Sequence, residues 1–424
     1  MTTFCIQGHG SGRYGLVALA AAALLWAGCG GTQTAASGEE APSSQAERAE
    51  RRAAAAEPEL SPEEIAAREA AAAEEHARAA FSSAVRQYAE GVPGQRDLRA
   101  IRRQLLEVLE VFPDHAPTLF NLGLIAQEEG DLDEARARYQ AATDADQSFA
   151  RGMANLGALE LAAGNVQAAI DLFEACLERH ELEAGCNINL SLLHQQEAFG
   201  EGRMDRAVAQ QAIDRLRFAL GGESLNAEAY ANLARIYYNL GRYELARLVC
   251  VDAYELGIQA PQLFNQRGMI ALAQNDVVLA YQMFQEAANR NPRYVDALMN
   301  IGTMALSFRD YEAAHHALSV VLEEEPDRLD ARLAYGVSLR GLERFDDAEA
   351  AYNQVLASEP GHAAALFNLA VLFQEYHQDY PRAVAYYRQF LEAAPADHER
   401  RSDAMQRVEV LEELIEILGG QASR

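Results

Sequence analysis

The chain has 424 residues, 50% of them hydrophobic, with 36 basic and 63 acidic residues and a formal net charge of -27 at pH 7. That length and apolar content can bury a large core, while the charge repels phosphate backbones and anionic headgroups and excludes nucleic acid as a partner. Every basic residue is arginine, so recognition that depends on lysine is excluded as well.

Residues 1–28 carry one basic residue, Arg13, followed by the apolar run LVALAAAALLWAG over 16–28. The run is too short to cross a bilayer as a mature helix and reads as a signal peptide. Cys29 follows Ala27 and Gly28, with Leu25 and Trp26 before them. Small residues before a single cysteine resemble the lipobox of bacterial lipoproteins, although Trp26 stands where leucine is usual. The resemblance implies a lipid on Cys29, which becomes the mature N-terminus, and Gly30 in place of aspartate implies passage to the outer membrane, periplasmic side. Ordinary cleavage to a soluble periplasmic protein is the alternative. Residues 29–61 have no aromatic and almost no large apolar side chain, so burial cannot offset their ordering entropy and they form a disordered tether.

From 62 to 115 the sequence predicts N-terminal helices and a degenerate repeat. Residues 80–114 hold two apolar helical patterns and a closing proline, Pro113, and an alanine-rich run carries the first helix back to Pro62.

From 116 to 397 the chain repeats itself. Alanine recurs at Ala135, Ala169, Ala212, Ala246, Ala280, Ala314, Ala348 and Ala383, in steps of 34 except for one of 43 and one of 35. Twelve residues before most of these lies a small residue: Gly123, Gly157, Ala234, Gly268, Gly302, Gly336. Four residues after stands a larger one: Tyr139, Phe173, Leu216, Cys250, Phe284, Leu318, Tyr352, Tyr387. This pattern resembles the tetratricopeptide repeat, a helix-turn-helix of about 34 residues. Apolar residues at helical spacing, such as Leu119, Leu122 and Ala126, put one stripe on each first helix. A single unit cannot bury that stripe, so neighbours must stack. The predicted fold is all-α, a tetratricopeptide-repeat superhelical solenoid of eight units opening at Ala116, Ala150, Ala184, Ala227, Pro261, Val295, Leu329 and Ala363. The third unit has Ser191 in the glycine place and nine extra residues between its helices, which map to a longer exposed turn or to a binding finger. Residues 398–424 predict a C-terminal capping helix and tail, with Met405, Val408, Val410, Leu411 and Leu414 as its apolar side chains.

Repeats leave no room for a catalytic domain, and no HExxH, paired CxxC or phosphate loop occurs. The reading is no enzyme, no metal and no cofactor. His315 and His316 read as solvated surface. Cys176 and Cys186 face each other across a short turn, either as a disulfide in an oxidising compartment or as two buried small hydrophobes, and Cys250 reads as core.

The resemblance implies that first helices line an inner wall. Matched to each unit's glycine, that wall comprises Phe120, Leu124, Ile188, Leu192, Arg235, Tyr238, Met269, Leu272, Met299, Leu306, Leu333, Val337, Arg340, Phe367 and Val371. Relatives that clamp a terminal carboxylate do so with asparagine, arginine and lysine; Asn121, Asn155, Asn189, Asn232, Asn300 and Asn368 are present, but no lysine is. The wall therefore predicts a groove for an apolar helix or extended segment of an envelope protein, unless neighbouring side chains and the C-terminal helix cover it. Similar lipoproteins serve pilus, secretin and gliding-motility complexes. The expected function is a non-catalytic scaffold held to the membrane by lipid; the alternative is a periplasmic carrier of a hydrophobic small molecule or peptidoglycan fragment.

Overall fold

The computed structural model describes residues 61–92, 94–200 and 204–422. Cys29, the apolar run before it and nearly all of the tether lie outside the described residues. The described chain consists of helices and their connections, and none of the helices is long and apolar enough to cross a membrane. It divides after Leu193 into two compact units.

The first unit opens with α1 (Pro62–Glu90). Ser61 caps it: its hydroxyl accepts the Glu64 N–H at 3.2 Å while its own N–H donates to the Glu64 carboxylate at 2.8 Å. Proline at the first helical position lacks only a donor that would have no partner there. Only Ala77, Ala80 and Ala84 of α1 are buried, so the alanine-rich first half is a solvated helix. α2 (Leu98–Val111) turns Ile101, Leu105 and Val108 inward, four and three residues apart, and Ile101 and Leu105 pack with Ala84, Leu122 and Ile125.

Three further hairpin elements follow: α3 (Ala116–Glu128) with α4 (Leu132–Ala145), α5 (Ala150–Ala162) with α6 (Val166–Arg179), and α7 (Ala184–Phe199), whose residues from His194 on belong to the second unit. The second unit holds α8 (Arg206–Gly222), then the pairs α9 (Ala227–Asn239) and α10 (Tyr243–Glu255), α11 (Pro261–Ala273) and α12 (Val277–Arg290), α13 (Val295–Ser307) and α14 (Tyr311–Glu324), α15 (Leu329–Gly341) and α16 (Phe345–Ser358), α17 (Ala363–Leu372) and α18 (Tyr380–Ala393), and last α19 (Arg401–Ala422).

A ring seated on a glycine locks four of the pairs. A Cβ on Gly123 would stand 2.6 Å from the Tyr139 ring, and one on Gly157, Gly268 or Gly336 would stand 2.5 Å from Phe173, Phe284 or Tyr352 respectively. All four rings are completely buried. Where the small residue is Ala234, its partner shrinks to Cys250, and burial pushes that thiol up to about 12. The volume of the seam is thus held near constant while its members change.

The hairpin turns share one conformation. The residue before the second helix's cap is left-handed in seven of them: Gly130 and Gly164 in the first unit, and Gly241, Asn275, Arg309, Glu343 and Gln378 in the second, with φ between 54° and 85°. After several of them an aspartate caps the helix; Asp276 accepts the Leu279 N–H at 3.0 Å and Asp310 that of Ala313 at 3.1 Å. Glu343 is exposed, and no side-chain hydrogen bond or ion pair to it was found among the described residues. A left-handed non-glycine residue costs about 1 to 2 kcal/mol, part of which glycine returns as unfolded-state entropy. Glu343→Gly should therefore stabilise by about 0.5 to 1 kcal/mol, seen as a higher melting temperature, and Gly241→Ala should do the reverse.

Two irregular steps in the repeat have different structural solutions. The nine extra residues of the third unit do not form one long turn: α7 has 16 residues and α8 has 17, against 13 and 14 in α3 and α4. Six of the nine lengthen helices, because QQEAF and RAVAQQ keep helix-forming residues in phase with the buried Ala198, Ala209 and Ala212. The 35-residue step before Ala383 is taken up by a π-helical turn at Phe373–His377, which inserts one residue without breaking the helix.

The C-terminal helix differs from its predicted face. Ala404 and Leu411 are buried and Val408 packs against the last core cluster, whereas Met405 and Val410 are 57% and 55% exposed. The 3.6-residue period explains this, since positions 404, 408, 411 and 415 form one stripe and 405 and 410 flank it.

Candidate functional site

Each first helix presents the residues around its small position along one face, spaced three, four or seven apart, and the two units are taken separately. In the first unit Phe120, Leu124 and Leu192 are half-buried. Phe120 stands edge-on to Phe149, with ring centroids 5.4 Å apart, and leans on Tyr139 at 5.6 Å. Ile188 is completely buried and so drops out of the wall.

In the second unit Arg235, Tyr238, Met269, Leu272, Leu306, Leu333, Val337, Arg340 and Val371 are half-buried. Met299 and Phe367 are buried, at 7% and 6% exposure, and belong to the core rather than to the wall. For Phe367 the cause is visible: Tyr387 and Phe390 stand edge-on to it, and the Arg400 guanidinium lies 5.0 Å over its ring. First helices α9 and α11, α13 and α15, and α15 and α17 touch directly, and Met269, Leu272 and Leu306 pack against one core cluster.

Polar groups are set into this apolar wall. Arg235 donates through Nη2 to Asn232 at 2.6 Å and through Nε to Gln195 at 3.2 Å. Asn300 donates to Asn265 at 3.0 Å, and Arg340 approaches Asn368 at 3.5 Å. Asn121 and Asn189 instead bond their own helices, at Pro117 O and Gly185 O. Sequence reading passed over Glu228 and Asn265. The signal was there for Glu228, since it lies four residues before Asn232 and seven before Arg235 on one helical face.

Burial pushes the Glu228 carboxyl up to about 6, and the Arg235 charge only partly opposes this. A carboxyl with a folded pKa above its unfolded value binds more protons when folded, so its contribution declines as pH rises from the unfolded value through about 6. Glu228→Gln should accordingly raise the melting temperature at pH 7.5 more than at pH 4.5. Equal shifts at both pH values would contradict this assignment.

His315 is not the solvated residue its neighbour His316 is. Its ring lies tilted against Tyr335 with centroids 4.9 Å apart, and its Nε2 lies 3.1 Å from both the Tyr335 hydroxyl and Arg344 Nη1. Burial, Arg344 and His316 all lower its pKa.

Cys176 and Cys186 are joined as a disulfide, with Cα atoms 6.7 Å apart across a sequence separation of 10. Closing a loop of that size stabilises by about 2 to 3 kcal/mol in the chain-entropy account. Glu183 completes a group of three ligand-type atoms there, but its carboxylate accepts the Cys186 N–H at 2.7 Å and both sulfurs are spent on each other. Cys250 is a buried free thiol.

Comparison with known proteins places this architecture. The family described as tetratricopeptide repeat matches residues 94–148, 120–183, 198–261, 265–328 and 333–398, more than half of the chain. No curated protein matches the sequence. Among solved structures, the crystal structure of the APC/C hetero-tetramer Cut9-Hcn1 is similar with a TM-score of 0.54 and 15% identity, over 78% of this chain. This chain spans 63% of that one, and at such identity the likeness is one of fold. PilF of Pseudomonas aeruginosa (TM-score 0.42, 17% identity, 53% of this chain and 96% of that one) and yeast Tom70 (0.42, 13%, 82% and 97%) are more distant. A 34-residue period built from helix pairs, most with a larger side chain seated on a small residue, is what the family match describes in sequence terms, and the chain belongs to the tetratricopeptide repeat family.

Proposed function

We propose that this protein-interaction scaffold works at the bacterial outer membrane, tethered on the periplasmic side by lipid on Cys29, where it organises an envelope machine such as a gliding-motility or pilus and secretin complex. The observation that carries the binding role is the half-buried wall of the second unit, where Met269, Leu272, Leu306, Leu333 and Val337 leave apolar surface open to solvent beside asparagine and arginine. Such a mixture suits a helix or extended segment, whose side chains take the apolar sites while its polar groups meet the amides. An apolar run ending in Gly28-Cys29 supports the anchor, and the Cys176 to Cys186 disulfide supports an oxidising compartment.

The test combines location with contact. Cys29→Ala should move the protein from the membrane fraction to the soluble periplasmic fraction, and a photo-crosslinking residue at Leu272 should capture envelope proteins in intact cells. Membrane association unchanged in Cys29→Ala would refute the anchor. Capture of small molecules in place of proteins would favour a carrier.

A further inference from the structure

We propose that the wall of the second unit receives an internal partner segment bearing two carboxylate side chains, one on Arg235 and one on Arg340, with apolar side chains between them. The inference rests on the scaffold reading and specifies its partner. Both arginines are half-buried and face the wall, and each is held by a neutral amide: Arg235 by Asn232 and Gln195, Arg340 by Asn368. No carboxylate among the described residues lies within the 4.0 Å of an ion pair with either.

Several half-buried arginines elsewhere in the chain are neutralised by carboxylates. Arg96 meets Glu128 at 2.7 Å, Arg136 meets Glu160 at 2.7 Å, Arg328 meets Asp330 at 2.9 Å, and Arg407 meets Asp403 at 3.0 Å. Arg401 spends its donors on backbone carbonyls, including Ala394 O at 3.1 Å. At the two wall arginines the hydrogen bonds go to neutral amides, and no ion pair among the described residues reaches either guanidinium. For Arg235 the bonds recorded use Nε and Nη2, so Nη1 remains to donate. Burial lowers the Arg235 pKa, and Tyr294, Asp296 and Glu228 oppose this only from beyond the 4.0 Å of an ion pair. An oriented, partly desolvated guanidinium is the geometry that binds a carboxylate through two parallel hydrogen bonds.

Between the two arginines along the chain, Met269, Leu272, Leu306, Leu333 and Val337 supply the apolar stretch. The net charge of -27 opposes an acidic segment at long range. Screening over a Debye length of about 8 Å confines that repulsion, whereas contact with a half-buried guanidinium is screened much less. Charge complementarity at the wall thus decides the class of occupant.

The probe is an array of N-acetylated, C-amidated peptides with two Asp or Glu residues separated by four to nine mainly apolar positions. Matched arrays carry Asn or Gln, Lys, or a free C-terminal carboxylate instead. The full chain in detergent should retain acidic peptides at least tenfold better than their amide counterparts. Arg235→Gln and Arg340→Gln should each lower that preference about tenfold with unchanged circular dichroism. If a variant does not fold, the wild-type chain still answers: acidic peptides should protect Arg235 and Arg340 from phenylglyoxal, read by mass spectrometry. Equal retention of amide peptides, preference for lysine, dependence on a free C-terminus, or no retention at all would overturn the proposal. If in-cell crosslinks from Leu272 fall on neutral segments, the scaffold reading stands and this inference fails.

Discussion

Gly268→Ala should destabilise the second unit by about 1 to 3 kcal/mol, because the new Cβ would enter the space of the Phe284 ring at 2.5 Å. Phe284 is completely buried, so its ring cannot swing into solvent, and the helices α11 and α12 would have to separate. Phe284→Cys alone should also cost about 3 kcal/mol or more by leaving a cavity of most of a ring. The double variant recreates the Ala234 and Cys250 pair of the preceding hairpin, and its loss should fall short of the sum by at least about 1 kcal/mol. Thermal melts of the three variants measure this. Strict additivity would mean that seam volume is not what couples the two helices.

The fold was legible because one physical rule is written seven or eight times. A small residue, a buried alanine twelve positions on and a larger side chain four beyond that recur at fixed distance in most units, and each recurrence places a close helix contact. Departures from the rule were less legible. The residues around Gln195 to Gln211 contain a glycine-bearing break, which reads as a turn, yet the flanking residues keep helix-forming side chains in register with Ala198 and Ala209. The one-residue insertion before Ala383 leaves no mark beyond the step of 35, since a π-turn needs no special composition.

The wall was legible only in outline. Its residues follow from the spacing around each glycine, but exposure depends on neighbours that spacing does not encode. Ile188, Met299 and Phe367 hold wall positions and are covered, the last by Tyr387, Phe390 and Arg400 from elements further along the chain. The polar set of Arg235, Asn232 and Gln195 was invisible for a related reason: Gln195 lies 40 residues from Arg235 and meets it only through folding.

Leu333→Glu with Val337→Glu should abolish partner capture while leaving the helices intact. Both side chains are half-buried on α15, four residues apart, and pack at the margin of the last core cluster rather than within it. The structural burden of that hairpin falls on Gly336, Ala348, Tyr352 and Leu339, all buried. In the free protein each new carboxylate can reach water; under an apolar partner it cannot, and two such groups should cost several kcal/mol of binding, on the order of a thousandfold in affinity or more. The expected measurement is near-wild-type circular dichroism, a melting temperature lowered by a few degrees at most, and loss of the in-cell crosslinks from Leu272. Nearby Arg340 gives the same variant a second use, because a carboxylate at 337, three residues before it on the same face, could neutralise the guanidinium and so block an acidic partner as well. Leu333→Gln with Val337→Gln separates the two effects, since it removes apolar surface and adds no charge. Should the glutamate pair unfold the hairpin, Leu333 and Val337 are core residues; should it fold and still capture every partner, the binding surface lies off this wall.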